Sequence, residues 1–373
     1  MKSILVNNYG AIDDIISLDT NYPKPKLKPQ SNQILVRVLA CSTSPGDWRT
    51  MSGSVDVIRK PNLPYIPSQD ICGIVEEADK NCDFQPGDCI VGTWNFVALG
   101  GMAEYALIDS KYAIRKPECV SPLEAAALAN SSVNAMLAIR DAGVERGHRI
   151  LVIGGSSAVG IGIIQLAKDA GASFIATTTT DEPLVKSLGA DMVIDYRKQN
   201  WWEIKDFKSA PFDKIFDCAE GLSAWMHAKD DGVLKTGWKG GCFIGVVADN
   251  PNMELHSMFD IFRELTSSML GRPIWTTICS PFVPKFKMLF GAPRDNSLTE
   301  LFKLVVEGRI KAVLDPNSPF PFNEEGAKAA YKLQASRRAH GKIVIQISDK
   351  LYERKTSKKE RITFERKLDV EDM

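Results

Sequence analysis

Between residues 150 and 172 the chain reads ILVIGGSSAVGIGIIQLAKDAGA, where four continuously apolar positions give way to small residues and then to apolar positions at helical spacing. Ile150 to Ile153, mostly β-branched, predicts a strand of a parallel sheet covered on both faces. Ile161, Ile164, Leu166 and Ala167 predict a helix lying on that sheet and ended by Gly171. Similar short apolar runs at 173–178, 192–195, 213–218 and 242–247 alternate with helical patterns. That alternation predicts an α/β, doubly wound parallel sheet. The first 120 or so residues differ: QILVRVLACS, ICGIVEEA, DCIVGTW and AEYALID are β-rich runs punctuated by Pro, Gly and Asn, which predict an antiparallel, partly barrel-like domain. Ser121 and Pro122 mark the change, as N-cap and first helical residue of a long helix. Residues 271–294, proline-broken and aromatic, are expected to form a long connection rather than another strand-helix unit. Two helices, around LTELFKLVVEGRIKA and NEEGAKAAYKLQASRRAHG, and the strand KIVIQI are assigned back to the first domain. The expected boundaries are therefore 1–121 with 273–349 for a discontinuous, mainly β domain, 122–272 for the parallel-sheet domain, and 350–373 for a solvated charged tail.

Composition narrows the function classes. A chain of 373 residues is long for one core, which fits two domains. Lys plus Arg and Asp plus Glu are both 46, so no general affinity for nucleic acid or anionic lipid is expected. The eight cysteines stand singly, without a Cys-x-x-Cys pair, as reduced thiols of an intracellular protein do. The N-terminal stretch carries neither a secretory nor an Arg-rich targeting pattern, and no apolar run is long enough to span a bilayer. The expected location is cytoplasmic, with a place on or inside mitochondria as the alternative.

The stretch Gly154-Gly155-Ser156-Ser157-Ala158-Val159-Gly160 carries the first candidate chemistry. In a dinucleotide fingerprint the first glycine makes the tight turn, the second lets backbone approach the pyrophosphate, and the third lets helix and strand pack closely. Gly155 and Gly160 keep the outer spacing, while Ser157 occupies the middle glycine's place. A nucleotide turn and an ordinary strand-turn-helix both remain open on these residues alone.

Taken together, SPGDW at 44–48, PYIPSQDICGIVEEADKNCDFQPGDCIVG at 64–92, GGMAEYALID at 100–109, GGSSAVG, LVKSLGADMVIDYR at 184–197 and SRRAHGKIVIQI at 336–347 resemble the zinc-independent quinone oxidoreductase branch of the medium-chain dehydrogenase/reductase superfamily. GGSSAVG is similar to its fungal-type, reticulon-interacting-like subgroup. The resemblance covers residues 1 to 348. It implies a Rossmann domain inserted in a discontinuous GroES-like domain, with NADP(H) in the cleft between them. It implies cofactor contacts from Asn134, Gly155, Ser156, Ser157, Ala158, Val159, Gly160, Thr178, Thr179, Thr180, Tyr196, Ala219, Gly245 and Val246. The substrate floor corresponds to Ser44, Asp47 and Trp48, with Trp94 and Asn95 on the facing wall. SQD at 68–70 stands where zinc-using relatives carry Gly-His-Glu, and the loop between Asp88 and Gly100 is too short for their cysteine lobe, so no metal is expected and Cys41 and Cys72 read as core thiols.

Several positions depart from the family pattern. Ser44 replaces an Asn, Met51 a basic residue and Asn134 a Thr; the Lys common after the second Rossmann strand is absent near Asp181. Asn134 reads either as a ribose contact or as a packed helix residue. Asp47 reads as a hydrogen-bonding anchor in the turn SPGD rather than as an acid, and no residue declares itself as proton donor. Two function classes follow: an NADPH-dependent reductase of quinones, enones or other activated alkenes, and an accessory protein of weak or no activity that is a subunit of a larger assembly; for the protein in either role, a homodimer or association with a larger complex is the expected state.

Overall fold

A computed structural model describes residues 1–58, 60–93, 100–252, 254–289 and 296–348. The expected tail and Trp94 with Asn95 lie outside the described residues. Six parallel strands form one sheet in the order Met192–Ile194, Phe174–Thr178, Arg149–Ile153, Lys214–Asp217, Cys242–Gly245, Lys285–Met288. The pattern that predicted a doubly covered strand is realised residue by residue. Ile150 and Val152 face the core built with helices Pro122–Ala142 and Ala158–Asp169, whereas Leu151 and Ile153 face the opposite core with Trp201, Phe207 and Trp225. All four are fully buried. The strand order reverses between Arg149–Ile153 and Lys214–Asp217, which opens a crevice at their C-terminal ends.

One expectation is corrected here. Residues 271–294 are not simply a connection, because Gly271–Ile278 is a helix and Lys285–Met288 is the sixth parallel strand, paired from Cys242↔Lys285 to Gly245↔Met288. Pro273 sits in the first helical turn, where its missing N–H has no intrahelical acceptor to serve. In the strand only Phe286 is buried, against Trp225 and Phe243 at ring distances of 5.1 and 5.7 Å. Two lysines flanking one buried aromatic conceal a strand in the sequence. The expected boundary at 272/273 therefore falls before the last strand of this sheet.

A second, seven-stranded and mainly antiparallel sheet is built on the long strand Gln33–Ser42, flanked by Asp70–Ala78, Tyr105–Asp109 and Val344–Gln346. Register shifts at Leu35/Val36 and Val38/Ala40 bend that strand, as closure toward a barrel requires. Helix Glu324–Ser336 returns to this sheet and buries Ala327, Ala330 and Tyr331 in its core. Helix Ser297–Val306, assigned from sequence to the first domain, instead places Leu298, Leu301 and Phe302 in the core around helix Pro122–Ala142, which Ala40, Cys72 and Val91 of the antiparallel sheet also enter. That shared core fixes the two sheets against each other.

Candidate dinucleotide and substrate site

The turn after Arg149–Ile153 is held by contacts that only small residues permit. Gly154 has φ of +80°, and its N–H donates to Thr178 Oγ1 at 2.9 Å; the Gly155 N–H donates to the Thr178 carbonyl at 3.0 Å. A Cβ on Gly155 would stand 1.9 Å from Thr177 Oγ1, and one on Gly160 would stand 2.4 Å from the Gly154 carbonyl oxygen. Ser157, in the middle glycine's place, caps the helix: its Oγ accepts from the Gly160 N–H at 3.1 Å and donates to the Gly154 carbonyl at 2.7 Å. The N–H groups of Ala158 and Val159, first in helix Ala158–Asp169, lie outside the helical ladder. Together with the helix dipole they present an anion-binding end.

At the end of Phe174–Thr178 the hydroxyls do other work than expected. Thr178 serves the turn, and Thr179, also buried, accepts from the Asp181 N–H at 3.1 Å. Of the three threonines expected as cofactor contacts, only Thr180 is partly exposed. Asp181 caps the following helix, accepting from the Leu184 N–H at 3.1 Å. Tyr196 is exposed beyond the third strand, whereas Arg197 is locked on Asp195 by two hydrogen bonds of 2.9 and 2.7 Å, which hold the Asp195 carboxyl far below its usual range.

Asn134 supplies an open acceptor. Its amide donates to Asn130 Oδ1 at 2.6 Å, while its own Oδ1 is buried without a hydrogen-bond partner. Such a buried acceptor calls for a donor. Around the crevice floor, Asp217 accepts from the N–H groups of Ala219, Glu220 and Gly221 at 2.9, 2.8 and 2.6 Å, fixing the turn after the fourth strand. Burial pushes its pKa up to about 7 against the pull of those three donors. Gly245 ends the fifth strand, and the Val246 N–H bonds the Asp217 carbonyl at 2.9 Å.

The expected substrate floor is more structural than the sequence suggests. Ser44 and Asp47 form a reciprocal cap of helix Pro45–Ser52: the Ser44 N–H donates to Asp47 Oδ2 at 2.9 Å and the Asp47 N–H to Ser44 Oγ at 3.2 Å. Trp48 packs half-buried on the antiparallel core, and Met51 is fully buried in it. Arg49 reaches the Pro251 carbonyl at 3.0 Å and joins this helix to the loop after the fifth strand. Burial, and then the nearby Arg337, lower its pKa.

Sequence reasoning missed the returning segment 337–342 as part of the site. Arg337 donates to the Ala219 carbonyl, and the Gly341 N–H donates to the Ser156 carbonyl at 3.0 Å. Lys342 lies buried 3.1 Å from Asp70 and donates to Ser131 Oγ at 3.0 Å; Asp70 also accepts from Ser42 at 3.1 Å and Thr93 at 2.7 Å. The basic run SRRAHGK was the available signal, but nothing local shows which strand ends it crosses. Cys41 and Cys72 are fully buried, and burial pushes both thiols up. Among the described residues no group of three or more His, Cys, Asp or Glu stands close enough to hold a metal ion, and no helix is long and apolar enough to cross a membrane.

Comparisons agree with this architecture. Residues 30–118 match the alcohol dehydrogenase GroES-like domain and residues 188–345 the zinc-binding dehydrogenase domain. The chain is 28% identical over 355 residues to the NADPH-dependent alkenal/one oxidoreductase, chloroplastic, of Arabidopsis thaliana, covering 92% of this chain and 79% of the relative. Its fold matches the quinone oxidoreductase from Coxiella burnetii with a TM-score of 0.73 and 24% identity, over 93% of this chain and 99% of the other. It is 31% identical over 286 residues to the quinone oxidoreductase of Pongo abelii, covering 76% of this chain and 83% of that relative. The chain belongs to the quinone oxidoreductase family of the medium-chain dehydrogenase/reductase superfamily.

Proposed function

We propose that the protein is an NADP(H)-dependent oxidoreductase that passes hydride to a quinone, an enone or another activated alkene without a metal ion. The observation that carries the reading is the turn 154–160, where closely packed glycines and the Ser157 cap leave the Ala158 and Val159 N–H groups free for a pyrophosphate. When bound, the cofactor supplies the hydride at its nicotinamide ring. Asn134 Oδ1 takes a ribose hydroxyl, and Ala219, Gly245 and Val246 line the opposite side of the crevice. Trp48 offers the substrate an apolar surface, and Trp94 is assigned to the facing wall. Ser44 and Asp47 hold Trp48 in place through their cap, and water is assigned as the source of the substrate proton. The names of the relatives, an NADPH-dependent alkenal/one reductase and a quinone oxidoreductase, support this substrate class.

The same cap favours one second reading, an accessory protein that binds the cofactor without turnover, because its two most reactive floor residues bind each other. One experiment separates the two. The melting temperature of parent and Ala158→Glu is measured with and without NADPH, followed by NADPH oxidation against quinones and enones. The proposal expects a rise in the parent, none in a still-folded variant, and turnover. A rise without turnover selects the accessory reading; no rise at saturating NADPH or NADH refutes cofactor binding.

A further inference from the structure

The end of the second Rossmann strand poses a problem for an NADPH enzyme. A carboxylate there accepts hydrogen bonds from a ribose 2′-hydroxyl and repels a 2′-phosphate. Asp181 is such a carboxylate, 29% exposed, three residues past Thr178. No lysine follows to offset it within the next four residues.

The offset arrives from the other end of the chain. His340 Nδ1 lies 3.2 Å from Asp181 Oδ2, the oxygen not engaged by the Leu184 N–H. Nδ1 is buried and makes no aligned hydrogen bond, so the ring stands in ion-pair reach of the carboxylate without being locked on it. The position of the ring is fixed by its backbone. The His340 N–H donates to Asp315 Oδ2 at 2.8 Å, and the next residue, Gly341, donates to Ser156 in the cofactor turn. His340 thus sits between the turn that takes the pyrophosphate and the strand end that takes the adenosine ribose, with 28% of its side chain exposed.

We infer that Asp181 and His340 together set nucleotide preference, Asp181 favouring the 2′-hydroxyl and His340 admitting the 2′-phosphate by occupying Oδ2 of that carboxylate. The inference rests on the proposed binding of NADP(H). Without His340 the carboxylate faces the phosphate alone, and once Asp181 is replaced by an amide there is no charge to offset.

The test is a fluorescence titration of the full chain with NADPH and NADH, in the parent, His340→Ala, Asp181→Asn and the double variant. Asn caps helices as well as Asp, so Asp181→Asn keeps the fold; NADH affinity is the control for general damage in His340→Ala, and the melting temperature without cofactor is the control in the two Asp181 variants. His340→Ala is expected to weaken NADPH at least tenfold and to leave NADH within threefold of the parent. Asp181→Asn weakens NADH relative to NADPH, and the double variant recovers NADPH to within threefold of the parent. Equal losses of both cofactors in His340→Ala, no loss of either, or no recovery in the double variant would overturn the inference while NADPH binding by the parent stands. A parent that binds neither cofactor overturns the proposed function, and this inference with it.

Discussion

Replacing Lys342 by Met tests how the cleft is held together. Lys342 and Asp70 have side chains 5% and 0% exposed, and the pair joins three elements: the strand Asp70–Ala78, the helix Pro122–Ala142 through Ser131, and the returning strand behind Gly341. Removing the ammonium leaves a buried carboxylate with two hydroxyl donors, Thr93 at 2.7 Å and Ser42 at 3.1 Å, and Ser42 also bonds the Ala126 carbonyl at 2.9 Å. Breaking a buried pair on one side costs about 3–5 kcal/mol, because the remaining charge has no way back to water. The stem of Met fills most of the volume of the lysine stem, so little of the loss comes from packing. Removing both charges in Asp70→Asn with Lys342→Met lifts the desolvation penalty, and the double variant is expected to lose less than either single one. Urea unfolding, with the slope compared across the four proteins, measures this. A loss under about 1 kcal/mol in Lys342→Met, or single losses that simply add, would show that the pair is solvated and the reasoning wrong.

Three further outcomes are expected. Gly155→Ala places a Cβ 1.9 Å from Thr177 Oγ1, destabilises by about 1–3 kcal/mol and weakens NADPH binding; Thr177→Ala in the same chain restores part of the stability, and no destabilisation in the single variant would contradict the geometry. Elemental analysis should find no stoichiometric zinc, and chelators should leave melting and activity unchanged; one tightly held zinc per chain refutes this. Burial raises the Asp213 pKa, but the Arg149 N–H at 2.9 Å and Lys235 at 2.5 Å outweigh it and hold the pKa below the usual value. Its stabilising effect is therefore present above an unfolded pKa of about 3.9 and lost as pH falls through the lower folded value. Asp213→Asn should cost about 1–2 kcal/mol at pH 7 and flatten the decline of stability below about pH 4; an unchanged acid limb would refute the pairing.

The parallel-sheet domain was legible where burial is two-sided. Ile150 to Ile153 are apolar at every position because each face meets a layer of helices, so the pattern survives without knowledge of its partners. Lys285–Met288 failed the same test for a physical reason. An edge strand buries one face only, and here a single side chain, Phe286, supplies that face. Helix Ser297–Val306 shows a second limit. Its apolar stripe was readable, but which of two cores it enters depends on Leu298, Leu301 and Phe302 meeting a helix more than 150 positions earlier in the chain.

The site divides along the same line. Residues that act through local geometry could be read in place: Gly155 at the tight turn, Gly160 as a close contact, Asp47 as the anchor of its own turn. Residues that act through distant partners could not. Thr178 was read as a cofactor contact, yet its hydroxyl accepts from the Gly154 N–H, and the neighbouring Thr177 hydroxyl donates to the Val152 carbonyl, because a strand beside a tight turn must satisfy that turn's backbone before it can serve a ligand. Asp181 was read only for the lysine missing beside it, and the ring that faces it lies 159 positions away. In this fold the cofactor turn is local sequence, but the side chain facing Asp181 comes from the returning segment 337–342, so the surroundings of that carboxylate cannot be read from the Rossmann half alone.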